Sequence, residues 1–539
     1  MLRALVVVAL IIGAALRLYP LDRPFIHPDQ ELLPMQALCT LVTGDWRPRQ
    51  LAYPSGYLYL LRSSYRAMLW WGARGGAGPH DAADLFSRYL DDPFPFYAVA
   101  RAWSCLFGIV TIWLTARLAA RVVGPGAGGI AALVLAVSFL AVRESHYGSV
   151  DATATAVFVA ALLAAARIVD APRPHSIVVA GLLAGLAAGT RYQLGIVALA
   201  VPIAVAFGGG PMSSPSRVGW LVVAGASALA AFAIASPYTL LEADRAWAEI
   251  ALQLRYSYFG FSSALSVPEA LVAAVGWPVC VLAAVGVVVA ARKRPVMVAL
   301  VLVTTVPYAW ALHQASRSFL RYVLPLVPVL AVFAARGTLA VGGLVPARLR
   351  TAATTLLVGL VLIDPCGRAI VLDGLLARPD TRDRAGVWLL EHARPDDRVW
   401  LPPPLSHSTP TLPLELGTVA WRCGPEVANG LRSRRPRPAF ATAVSSARPD
   451  QLARMRHAGG LVVTAEHPVL TPWATTPPEV AALVQERGTI EARFVGLEAD
   501  RAPATLFETI DANFVPLRGL TRVETPGPTL TIWRLPPSP

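Results

Sequence analysis

Apolar residues crowd the first two thirds of the chain in long unbroken runs. They lack the period-two alternation of a half-buried strand and the single stripe of a surface helix. The runs lie at 1–18, 96–116, 128–142, 150–166, 176–190, 192–208, 218–236, 269–291, 296–312, 319–335 and 351–363. A helix needs roughly 20 apolar residues to cross the hydrocarbon core alone, and the shorter runs suit helices sheltered by their neighbours. The pattern predicts a polytopic α-helical membrane protein with about 11 transmembrane helices.

The pattern changes twice. The segment 21–95, after the first run, is long and aromatic, and in it Tyr53-Pro54-Ser55-Gly56-Tyr57-Leu58-Tyr59-Leu60-Leu61 leads into Arg62 and Arg66, one helical turn apart. Arginines so placed make a poor lipid-exposed span, and an interfacial helix with snorkelling guanidiniums is expected instead. A further span here is the alternative, and it would invert every later loop. From about Leu375 no spanning run recurs. Strand-like pieces at Arg398–Leu401, Gly460–Thr464, Ile490–Leu497 and Thr529–Leu535 alternate with helical stretches at 381–393, 449–458 and 478–487. That alternation predicts a small C-terminal α/β domain over 377–539, with 402–446 largely loop, following a membrane domain over 1–376 that includes the loop 21–95. Gly124-Pro125-Gly126 marks a turn between helices.

Composition agrees with a membrane protein: 55% of the 539 residues are hydrophobic and 15% charged, with a mean hydropathy of +0.52. The net charge of +13 would suggest nucleic acid in a soluble chain. Here the arginines lie between apolar runs, so orientation explains them and no nucleic-acid partner is expected. With Arg3 inside, the inner loops carry Arg117 and Arg121, Arg167 and Arg173, Arg217, Arg292-Lys293-Arg294, and Arg336, Arg348 and Arg350. The outer face then receives residues 27–31, Arg143 to Asp151, Arg191, the loop 237–268, the segment 313–321 and everything after Ile363. Arg17-Leu18-Tyr19-Pro20 is a poor cleavage site, so the first run is expected to be an uncleaved anchor. The expected location is a bacterial cytoplasmic (inner) membrane, multi-pass, with the C-terminal domain extracytoplasmic. The five cysteines show no zinc-ligand spacing, and Cys366 and Cys423 could pair if both lie on the oxidising side. No phosphate-cradling glycine loop or nucleotide fingerprint is present.

Against this background, His27-Pro28-Asp29-Gln30-Glu31 places two carboxylates and a histidine directly after the first apolar run. A turn and helix cap is the plain explanation. A catalytic carboxylate facing a lipid-borne substrate is the sharper one.

Several motifs in order resemble the C-type (GT-C) membrane glycosyltransferases that use polyprenyl-phosphate sugars, the superfamily of protein mannosyltransferases and lipid A aminoarabinose transferases. They are residues 27–31, the aromatic-Pro segment Tyr53-Pro54, Ser145-His146-Tyr147-Gly148-Ser149-Val150-Asp151, Gly185-Leu186-Ala187-Ala188-Gly189-Thr190-Arg191-Tyr192, Arg321-Tyr322-Val323-Leu324-Pro325, and Arg378-Pro379-Asp380-Thr381-Arg382 leading into Trp388-Leu389. Gln30 separates the acids where many relatives have adjacent Asp-Glu. Leu51-Ala52-Tyr53 stands where some carry a lysine.

The resemblance implies an inverting hexosyl- or pentosyltransferase that moves a sugar from a polyprenyl-phosphate donor to a cell-envelope acceptor (glycan, lipid or protein) at the extracytoplasmic face. Such chemistry needs a base for the acceptor and cations for the departing phosphate. Asp29 is the candidate base, with Glu31 beside it and Asp151 as a second carboxylate, although helix-dipole stabilisation explains an Asp at a helix start equally well. His27, His146 and Tyr147 are candidate substrate contacts. Arg317 and Arg321, four apart, and Arg191 could offer forked donors to phosphate, with snorkelling as the alternative. No cofactor is expected, although Asp29 and Glu31 could hold part of a Mg²⁺ or Mn²⁺ shell. The rival functions are a transporter or flippase of lipid-linked sugars and an inactive scaffold of the same fold.

Overall fold

The computed structural model describes residues 2–21, 28–72, 74, 78–208, 214–259, 265–315, 319–402, 409–412, 416–432, 440–468, 475–498, 501–502, 505–508 and 514–538. The helices, in chain order, are α1 (Leu2–Leu18), α2 (Pro28–Thr43), α3 (Gly56–Gly72), α4 (Ala82–Asp91), α5 (Phe94–Val122), α6 (Gly128–Ala136), α7 (Phe139–His146), α8 (Asp151–Asp170), α9 (Pro174–Thr190), α10 (Ala200–Phe207), α11 (Ser214–Ala235) and α12 (Pro237–Leu241). They continue with α13 (Ala243–Phe259), α14 (Val267–Val275), α15 (Trp277–Lys293), α16 (Pro295–Gln314), α17 (Leu326–Gly342), α18 (Arg350–Leu376), α19 (Thr381–His392), α20 (Leu416–Cys423), α21 (Pro425–Arg432), α22 (Pro449–Ala458) and α23 (Pro478–Arg487). The chain forms two compact units. One comprises 1–21, 36–67 and 98–370, and the other 22–35, 68–97 and 371–539.

The first unit is a bundle of apolar helices, and the chain is a multi-pass membrane protein. Among the described residues, α5, α8, most of α11, α16 and the run containing α18 are long and apolar enough to cross a membrane. Two further pairs are bent, α6 with α7 by 57° and α14 with α15 by 108°, which brings the tally to between five and seven, with shorter apolar helices beside them. The expected run 269–291 is thus two helices. Gly276, at φ +85°, makes the corner, a conformation that side chains with a Cβ avoid. The run 192–208 divides into a 3₁₀ stretch over 192–199 and α10. Gly124 takes φ +118° at the expected turn before α6.

Small residues let backbones meet. A Cβ on Gly286 of α15 would lie 1.8 Å from the Phe333 carbonyl oxygen, and one on Gly337 of α17 would lie 1.9 Å from that of Leu282. Gly181 and Gly185 bring α9 close to α11 in the same way, where a Cβ would lie 2.3 Å from the Ala224 and 1.9 Å from the Ala228 carbonyl oxygen. The bend between α6 and α7 leaves carbonyls without helical partners. Arg17 of α1 supplies the donors, its guanidinium reaching the carbonyl oxygens of Ala136 at 2.8 Å and Leu135 at 3.1 Å. Cys366, one candidate half of the bridge to Cys423, is a free thiol, so that pairing is not made.

The second unit holds a five-stranded sheet. Its strands are β1 (Arg398–Leu401), β2 (Ala441–Val444), β3 (Gly460–Glu466), β4 (Thr489–Phe494) and β5 (Thr529–Leu535), in the order β2-β1-β3-β5-β4. β1 runs parallel to β2 and β3, and β5 runs antiparallel to β3 and β4. Side-chain alternation builds a layer on each face. Val399, Leu461, Val463 and Ile532 pack against Ala385 and Leu389 of α19. Trp400, Val462 and Leu535 pack against Met455 of α22 and Val480, Leu483 and Val484 of α23. The sequence pattern located four of these strands and three of the helices. The region 402–446 departs from expectation: it contains α20, α21 and the edge strand β2. The residues of β2, Ala-Thr-Ala-Val, are small and half exposed, so they carry little hydrophobic signal.

Candidate active site

In the first unit three charged residues converge from separate elements. Asp151 opens α8. The residue before it, Val150, offers no side-chain cap. Arg191 closes α9 in extended conformation, at φ −153° and ψ 117°, which turns its side chain off the helix axis. Arg321 sits in a 3₁₀ turn over Leu320–Val323, between α16 and α17. Arg191 Nη1 is ion-paired with Asp151 Oδ1, and Arg321 Nε lies 3.8 Å from Oδ2. All three side chains are buried. At apolar depth such charges persist only when grouped.

Aromatic rings fix the two guanidiniums. Arg191 lies 4.3 Å over the Tyr322 ring and Arg321 lies 4.3 Å over Phe319. Phe319 and Tyr322 meet edge to face at 5.2 Å. The Tyr308 hydroxyl donates to the Tyr322 carbonyl oxygen at 2.8 Å, holding the ring's backbone. A guanidinium stacked on a ring keeps its N–H edge directed at an acceptor in its own plane, the geometry that carboxylate and phosphate oxygens share.

The segment leading to Asp151 is buried and strongly polar. Both His146 ring nitrogens lie 2.9 Å from backbone carbonyl oxygens, those of Val142 and Tyr19, so the ring ties α7 to the end of α1. Tyr147 is buried beside Arg143, whose guanidinium is 5.9 Å from its ring centre. Arg143 Nε donates to Glu144 Oε1 at 2.8 Å, and neither side chain is exposed. The Ser104 hydroxyl donates to the Ser149 carbonyl oxygen at 3.1 Å, fixing the turn just before α8.

Of the residues singled out in the sequence, Asp151, Arg191 and Arg321 are thus brought together, with His146 and Tyr147 on the approach to Asp151. Asp29 and Glu31 fall in the first turn of α2, and their side chains lie outside the described residues, as do His27 and Arg317 altogether. Among the described residues no three His, Cys, Asp or Glu side chains gather as a metal site. Sequence reading missed the Arg143–Glu144 pair and the aromatic platform of Tyr308 and Tyr322. The adjacent opposite charges at the end of an apolar run were a usable signal for the pair, because such residues rarely stand in a span without a partner.

The chain thus combines a helical membrane unit, in which two buried arginines converge on a carboxylate, with a small α/β domain. Residues 97–238 match the family described as dolichyl-phosphate-mannose-protein mannosyltransferase, a segment that includes Asp151 and Arg191. Over its whole length the chain has the fold of ArnT from Cupriavidus metallidurans. The structure of that protein bound to undecaprenyl phosphate superposes with a TM-score of 0.54 at 12% identity, covering 98% of this chain and 97% of that one. Its apo structure gives 0.52 at the same identity and coverage. The archaeal oligosaccharyltransferase AglB from Archaeoglobus fulgidus gives 0.47 at 16% identity, over 72% of this chain and 58% of that one. No protein of curated function matches the sequence. The chain thus carries a segment of that mannosyltransferase family within a fold similar to that of ArnT.

Proposed function

We propose that the protein is an inverting glycosyltransferase that transfers a hexosyl or pentosyl unit from a polyprenyl-phosphate donor to a cell-envelope acceptor at the extracytoplasmic face. The observation that carries the reading is the convergence of Arg191 and Arg321 on Asp151. Two stacked, forked donors so placed suit a phosphate, and Asp151 holds them ready in its absence. Bent spans would also suit a transporter. The shared fold and the family segment 97–238 favour the transferase.

In this reading Asp29 takes the proton from the acceptor hydroxyl or amine, and the acceptor atom bonds to the anomeric carbon. The carbon–oxygen bond to phosphate breaks from the opposite side, its electron pair passing to the phosphate that Arg191 and Arg321 receive. A single displacement inverts the anomeric centre. The small α/β domain shares the outer face and helps position the acceptor. The basic residues at 292–294 lie inside, and 73–95 and 377–539 lie outside.

The test has two parts. Purified protein should bind undecaprenyl phosphate, and Arg321→Gln should weaken that binding by about 1.5–3 kcal/mol without unfolding the chain. Reporter fusions should place the tail outside. A cytoplasmic tail would overturn the assignment of the face.

A further inference from the structure

The segment Trp46–Ser55, which connects α2 to α3, is held from one side by α12 and α13. Glu249 of α13 accepts two consecutive backbone N–H groups, that of Leu51 at 2.5 Å and that of Ala52 at 3.1 Å, both on Oε2. Its other oxygen accepts from Arg245 Nε at 2.9 Å, and Arg245 also donates to the Arg49 carbonyl oxygen and, at 3.0 Å, to Glu242. A carboxylate engaged by two amides and a guanidinium is a stiff anchor, because each of these hydrogen bonds is charge-assisted.

The same strap is also gripped by the residue next to Arg191. The Tyr192 hydroxyl donates to the Leu51 carbonyl oxygen at 2.9 Å and lies 2.9 Å from the Thr239 hydroxyl. The Ser55 N–H donates to Ser236 Oγ at 3.0 Å. Just beyond, Gly56 approaches α9 so closely that a Cβ would lie 2.6 Å from the Gly189 carbonyl oxygen. Leu51 is therefore held at both its amide and its carbonyl, by Glu249 and Tyr192 respectively.

We infer that Glu249 is a positioning residue: through Leu51 and Tyr192 it fixes the backbone that carries Arg191, and so sets the aim of that guanidinium. This rests on the lipid-phosphate reading for its functional consequence and on geometry alone for the clamp itself. No described acid other than Glu249 touches the amides of Leu51 and Ala52, and the strap has no strand partner to order it.

The test uses the full chain purified in detergent, with Glu249→Ala, Glu249→Gln and Tyr192→Phe. Amide exchange should accelerate in Glu249→Ala at Leu51 and Ala52 and also at 191–194. Affinity for undecaprenyl phosphate should fall by about tenfold, with the melting temperature within about 2 °C of wild type. Glu249→Gln keeps one oxygen acceptor and should recover part of that affinity. The Glu249→Ala and Tyr192→Phe losses should be less than additive, because both act on one segment. Exchange confined to Leu51 and Ala52, or unchanged binding in Glu249→Ala, would overturn the inference. If the wild type itself binds no undecaprenyl phosphate, the lipid reading fails, and the exchange at 191–194 decides the clamp by itself.

Discussion

Arg191 and Asp151 are separated in sequence by the whole of α8 and α9, yet the guanidinium that closes α9 is paired with the carboxylate that opens α8. The two helices therefore meet at one end through their only charged residues there, and each residue would be costly to bury without the other.

Removing either partner should cost about 3–5 kcal/mol, the usual price of stranding a buried charge. Arg191→Gln and Asp151→Asn are each expected to lower the unfolding temperature sharply. Asp151→Asn takes the carboxylate from Arg321 as well as from Arg191, whereas the double substitution deprives only Arg321 of it, so its loss should be smaller than the sum of the two single losses. Thermal unfolding of the three variants in detergent checks this, and strictly additive losses would mean that the pair is not coupled.

Asp29 is open to a different test. Asn keeps the size and turn-forming ability of Asp but cannot take a proton, so Asp29→Asn should reduce sugar transfer by roughly 10²–10⁴-fold while undecaprenyl phosphate binding persists. Glu31→Gln should be milder, because Gln30 separates it from Asp29. A helix cap would tolerate Asn fully. Transfer assays with a labelled lipid-linked sugar that find Asp29→Asn within about twofold of wild type would remove it as the base.

The C-terminal domain should lose stability in mild acid. Burial, and secondarily the charge of Arg382, push the His467 imidazole from 6.5 down to about 3. Its ring packs edge to face against Phe507 and Phe514, at 4.7 and 4.9 Å. The unfolded chain takes up the proton near pH 6.5 and the folded chain resists until about pH 3. The contribution of this group is therefore complete above pH 6.5 and declines as pH falls through that window, by up to roughly 1.4 kcal/mol per unit. Amide exchange of β3 and β5 between pH 7 and pH 5, corrected for intrinsic rates, should show this loss in the wild type and a flatter profile in His467→Phe.

Close helix contacts make a fourth prediction. Gly286→Ala places a methyl group against the Phe333 backbone, which no rotamer change can relieve. α15 and α17 must then move apart, at about 1–3 kcal/mol. Gly359→Ala, in α18 with open space around it, is the control and should leave the melting temperature unchanged.

What the sequence made legible follows from how far each signal reaches. Runs of apolar residues report burial in lipid, so the helical membrane unit could be read without knowing how the helices pack. Short apolar pieces did the same for β3 and β5, most of whose residues are buried on both faces of the sheet. Continuity was less legible. The corner at Gly276 and the break after α6 leave hydropathy unchanged, because a bent apolar segment has the same composition as a straight one. Asp151, Arg191 and Arg321 were each visible as charges at helix ends, but their convergence depends on packing between α8, α9 and the turn after α16. Glu249 gave no sign at all, being one acid among several on a polar helix until Leu51 and Ala52 are set against it.

The guanidinium of Arg17 bears on how the protein is made. Besides the Gly13 carbonyl of its own helix it serves carbonyls 118 and 119 residues further along the chain, so two of its acceptors are synthesised long after α1. Until α6 arrives, that charge must be sheltered at the interface or by the insertion machinery. Exchanging α1 for a generic apolar helix of equal length would leave the carbonyls of Leu135 and Ala136, at the break between α6 and α7, without these donors.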